Sequence, residues 1–118
     1  MNTMKVKLRG GLNIAPNTVD APVPTIDNVR TVYSGAHGCM CGCLGKHKAN
    51  PKFADEAGSN RGYSFDEEDI SQRSVKTVIT KLLKAGAMAD EGNEKSYLFA
   101  ETPSRVYVVY FTDAVRNG

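Results

Sequence analysis

The chain of 118 residues contains no tryptophan, and outside one short stretch it contains neither cysteine nor histidine. All three cysteines and both histidines lie between His37 and His47. That confinement makes a poor disulfide framework, because the count is odd and closing a bridge across one intervening residue strains the geometry. Reduced thiols fit a reducing compartment, so a cytoplasmic location is expected. Long apolar runs are also missing: none approaches the ~20 residues of a membrane-spanning helix. The N-terminal "MNTMKVKLRGGLNIAP" lacks the apolar core of a secretory signal. No membrane partner is therefore expected. Nor is there a strong excess of charge of one sign, since the net charge is +2. That value by itself does not imply a polyanion-binding surface. The charge is unevenly spread, however: residues 1–63 carry eight Lys/Arg against four Asp/Glu, and residues 64–118 carry seven against nine.

What is present suits one globular domain, with 41% hydrophobic and 24% charged residues. Residues 10–28, "GGLNIAPNTVDAPVPTIDN", are rich in glycine, proline and turn formers. They discourage regular structure, so residues 1–28 read as an extended N-terminal arm and 29–118 as the domain. "VRTVY", from Val29 to Tyr33, predicts a strand that stops at Ser34-Gly35. Residues 48–62 are polar and broken by Pro51, Gly58 and Asn60, so no helix follows directly. A helix is predicted from about Glu67 or Ser71 to Ala85, because Val75, Val78, Ile79 and Leu82, extended by Leu83, recur with helical spacing. Ser64 with Glu67 forms one candidate capping box, Ser71 is the other cap, and Gly86 is the stop. "SYLFAE" (96–101) and "RVYVVYFT" (105–112) predict a hairpin around Thr102-Pro103-Ser104. Both faces of its second strand are apolar, which places that strand centrally in a sheet. The expected fold class is α+β: a small, mainly antiparallel sheet, one long amphipathic helix and a Gly/Cys-rich loop.

That loop, "GAHGCMCGCLGKH" from Gly35 to His47, carries the densest chemistry. His37, Cys39, Cys41, Cys43 and His47 exceed the four ligands of a tetrahedral zinc site, and Cys-x-Cys spacing also suits copper(I). The alternation departs from the usual Cys-x2-Cys knuckle, and no distant pair completes a long-range clip. A second reading is an anion nest. Gly35, Gly38, Gly42 and Gly45 would let backbone N–H groups converge on a phosphate, with Lys46 adding charge and Tyr33 and Ser34 leading in. The phosphate-loop motif itself fails, since Met40 stands where glycine is required and His47 where a hydroxyl is required. A nucleophilic cysteine with a histidine base is a third reading, without a recognisable substrate pocket. Against all three, buried cysteines among glycines could simply be a tightly packed strand.

Other signals are weaker. "DEED" at 66–69 could bind a divalent cation but fits better as helix-start charge. Tyr97, Phe99, Tyr107 and Tyr110 near Arg105 could stack on single-stranded nucleic acid, although core packing explains them equally well. Arg61, Arg73, Lys76 and Lys84 look scattered rather than striped, as on a solvated surface.

The stretch "VYSGAHGCMCGCLGKH", followed by "SVKTVITKLL" and "SRVYVVYF", resembles short uncharacterised proteins of tailed phages, which share a Tyr-Ser-Gly start, a Gly-Cys-x-Cys-Gly-Cys core and a Gly-Lys close. The resemblance rests on residues 32–47 and brings no assigned activity. It implies a host-cytoplasm setting and a small accessory protein that binds a host or phage component. The expected function is thus non-enzymatic: the Cys/His/Gly loop holds zinc or copper, or shapes a recognition surface for a host or phage protein or a nucleic acid. The alternative is a nucleotide or phosphate-ligand binder that uses the loop as its nest, with thiol chemistry as an extension.

Overall fold

The computed structural model describes residues 2–8, 18–36, 65–67, 72–90 and 92–117. They form a seven-stranded sheet and two helices. The strands are β1 (Thr3–Leu8), β2 (Thr18–Pro22), β3 (Val29–Ala36), β4 (Phe65–Glu67), β5 (Met88–Ala89), β6 (Tyr97–Glu101) and β7 (Arg105–Phe111). The helices are α1 (Gln72–Ala85) and α2 (Asp113–Asn117). Sheet order is β2-β1-β5-β6-β7-β3-β4, and every pairing is antiparallel except β1 with β5. The molecule is therefore a small α+β domain with a mainly antiparallel sheet.

The hairpin forms where turn chemistry and alternation predict it. Thr102 clamps the turn, since its backbone N–H donates to the carbonyl of Arg105 at 2.8 Å and its Oγ1 accepts from the Arg105 N–H at 3.0 Å. β7 lies between β6 and β3, and all its residues after Arg105 are buried. Because side chains alternate along a strand, β7 feeds two cores. Tyr107, Val109 and Phe111 join Val32, Leu98 and the α1 residues Val75, Val78, Ile79 and Leu82 on the helix side. Val106, Val108 and Tyr110 join Tyr33, Tyr97 and Phe99 on the opposite face. There, Tyr33 meets Tyr110 edge-on with ring centroids 5.6 Å apart, and the Tyr97 hydroxyl donates to the Asp90 carboxylate.

Three expectations need correction. The extended arm over 1–28 is, in its described part, two sheet strands: β1 pairs with β2 and β5, and Val6 and Ala21 lie in the helix-side core. The strand from Val29 does not stop at Tyr33 but continues to Ala36, because β4 and β7 both pair with Ser34 and Gly35. Glu67 does not begin the helix; it ends β4, opposite Tyr33, with Asp66 opposite Ser34. The Ser64/Glu67 capping box and the helix-dipole role of these two acidic residues are thereby removed, and α1 has no acidic residue in its first turn. In addition, a second helix, α2, follows β7, and Leu83 is 40% exposed rather than part of the core stripe.

Gly86 ends α1 as anticipated, with φ = 90° and its N–H on the Leu83 carbonyl. A Cβ added there would meet no atom within 4 Å. Gly86→Ala should therefore cost only the left-handed backbone term, about 1–2 kcal/mol, read as a lower urea midpoint with an unchanged slope. A neutral result would show that the helix terminates by some means other than the left-handed residue.

Candidate anion-binding groove

Three of the ligand candidates sit in β3. Alternation sends Ser34 to the helix side, while Tyr33 packs in the opposite core, so the two do not share a site. Gly35 is buried between β4 and β7, paired with Phe65 and Val106. Gly38, Gly42, Gly45 and Lys46 lie outside the described residues, as do the metal candidates His37, Cys39, Cys41, Cys43 and His47. Among the described residues no group of three or more His, Cys, Asp or Glu side chains is placed to hold a metal ion.

Ser34 instead opens onto a groove of about 340 Å³ between α1 and the β3–β7 end of the sheet. Arg73, Thr77 and Lys81 line it from the helix, and Arg105 and Tyr107 from β7. Each is placed by a simple local rule. Positions 73, 77 and 81 are spaced by four, so they stand in one row along the helix, about 6 Å apart. The row flanks the stripe of Val75, Val78, Ile79 and Leu82 that anchors α1 on the sheet, and Val78 lines the groove beside it. Arg105 is the first residue of β7, with its backbone held by Thr102, and shares the helix-side face with Tyr107. Its Nη2 donates to Ser34 Oγ at 3.1 Å, a bond across 71 positions of sequence that fixes the guanidinium at the groove floor. Lys81 Nζ stands 6.0 Å from the centre of the Tyr107 ring, a cation–π distance that holds the ammonium over the same floor. The Thr77 hydroxyl is occupied, donating to the Arg73 carbonyl at 2.9 Å, so it offers an incoming group only its lone pairs.

The chemistry of this lining is one-sided. Two guanidinium groups and one ammonium line the groove together. An ion pair elsewhere joins Lys5 and Asp20 at 2.9 Å. Asp66 stands opposite Ser34 in the β3–β4 register. A forked guanidinium presents two parallel N–H donors that match a carboxylate or phosphate, and the ammonium adds a mobile third donor. The arrangement can therefore seat a tetrahedral or planar oxyanion. A larger groove of about 530 Å³, beside β1 and the end of α1, is mostly apolar and has no such convergence.

The sequence points to Ser34 but not to its partners. Arg73 reads there as part of a scattered set, yet Arg73, Lys76 and Lys84 share the exposed side of α1 with Lys81, within an arc of roughly 140°. The signal that would find it is the row at 73, 77 and 81 beside the apolar stripe. Of the two readings of the aromatics near Arg105, core packing holds: Tyr97, Phe99, Tyr107 and Tyr110 are all at most 9% exposed and belong to the two cores. No helix among the described residues is long and apolar enough to cross a membrane. No family model, curated protein or solved structure matches the chain.

Proposed function

We propose that this chain is a non-enzymatic binding protein that holds a phosphate-bearing ligand in the α1–β7 groove. The carrying observation is the convergence of Arg73, Lys81 and Arg105 on one cavity. Topology supports it further. Ala36, the last residue of β3, pairs with Arg105, so the chain enters the Gly-rich stretch beside the groove. In the tailed-phage setting that the sequence resembles, this is an accessory protein of the host cytoplasm.

Calorimetric titration with inorganic pyrophosphate tests the reading. Hydrogen bonds to charged groups contribute about 1.5–3 kcal/mol each, so Arg105→Ala or Arg73→Ala should weaken binding about tenfold or more. Replacing Cys39, Cys41 and Cys43 together with serine should leave it intact, because thiols supply nothing to an oxyanion site. Failure of the unaltered protein to bind pyrophosphate at millimolar concentration would overturn the proposal, and loss of binding only in the triple serine variant would replace it with a site built on the thiols.

A further inference from the structure

We infer that the groove is one end of a longer binding surface, and that its physiological ligand is the phosphate backbone of a nucleic acid, bound without sequence preference. The inference rests on the groove reading and extends it along α1. Over its 14 residues, Gln72–Ala85, this helix carries Arg73, Lys76, Lys81 and Lys84 and not one Asp or Glu. All four cations are exposed, on the side opposite the buried Val75, Val78, Ile79 and Leu82. Ordinary surface helices intersperse both signs, which supplies i, i+4 ion pairs. This one forgoes them although the domain as a whole is only +2. A face of one sign repels itself and is compensated when an anion covers it.

Its dimensions fit a polymer better than a single phosphate. From Arg73 to Lys84 the helix rises about 16 Å, longer than a nucleotide's phosphate group and comparable to two or three successive backbone phosphates. Lys76 and Lys84 do not line the groove, so one small ligand seated there cannot use them. Arg105 and Arg73 would hold one phosphate in the groove, with the outer lysines meeting its neighbours along the strand. Base stacking has no receptor here, since the aromatic rings near Arg105 are buried. Bonds to phosphate alone position a strand but carry no sequence information, hence the absence of sequence preference.

The test separates the outer lysines from the groove. A fluorescent 20-nucleotide single strand, its duplex, and anionic phosphatidylserine vesicles are titrated with the unaltered protein and with Lys76→Gln/Lys84→Gln. The double variant touches only exposed side chains and should keep its pyrophosphate affinity, while oligonucleotide affinity falls at least tenfold. The log–log salt dependence for the single strand should also flatten by about 1.4, at about 0.7 for each phosphate that is no longer neutralised. Unchanged oligonucleotide binding in the double variant, with pyrophosphate binding still sensitive to Arg105→Ala, would overturn this inference and leave the groove reading standing. Absence of pyrophosphate binding would remove both. Binding to vesicles but not to oligonucleotides, with sensitivity to the two lysines, would replace the nucleic acid with a membrane surface.

Discussion

Phe99→Ala is expected to lower the unfolding free energy by about 3–5 kcal/mol, the range for emptying a buried aromatic site. Phe99 is fully buried, lies mid-strand in β6, and is paired with Met88 on one side and Val108 on the other. Its ring stands 6.2 Å from that of Tyr97, which in turn lies 5.4 Å from Tyr110. Removing it therefore takes away transfer energy and also one member of a chain of packed rings that bridges β6 and β7. A domain of this size has about 5–15 kcal/mol in total, so the variant should be close to its folding limit at 37 °C. Urea unfolding followed by circular dichroism reads the effect as a lower midpoint. A loss below about 1 kcal/mol would mean that this face of the sheet is not a packed core.

The same two cores explain what is legible in the sequence. In β7, alternation alone announces two apolar faces, and a strand with two apolar faces must lie inside a sheet; β6 and β3 flank it. The helix is legible because Val75, Val78, Ile79 and Leu82 repeat at its own period. β1 does carry a local strand signal, since Met4, Val6 and Leu8 alternate with exposed Lys5 and Lys7; it is the place of β1 and β2 in the sheet that is non-local. β1 joins the sheet through a two-residue parallel pairing with β5, far along the chain, as in Lys7 with Met88, and no local pattern encodes that. Pro22 and neighbouring prolines read as strand breakers, yet β2 is an edge strand ending at Pro22, where a missing N–H costs little. β4 is obscured differently: "FDEED" carries helix-start charge, and only pairing with β3 makes Phe65–Glu67 a strand. For the groove, the sequence names Ser34 as a ligand candidate, but Arg105 reaches it from 71 positions away and Lys81 is drawn in by Tyr107. Convergence of that kind is a product of topology.

Leu82→Ala should cost about 2–5 kcal/mol, and its neighbour supplies the control. Leu82 is fully buried in the helix-side core, whereas Leu83 is 40% exposed. Leu83→Ala should then fall within about 0.5 kcal/mol of the unaltered protein, since alanine also has the better helix propensity. The contrast isolates packing from propensity, because the two substitutions are chemically identical and adjacent in one helix. Equal losses at both positions would mean that α1 is rotated on the sheet, and the rotation would turn Arg73 and Lys81 away from Arg105. Urea midpoints of this pair therefore check the placement on which the groove depends before any ligand is added.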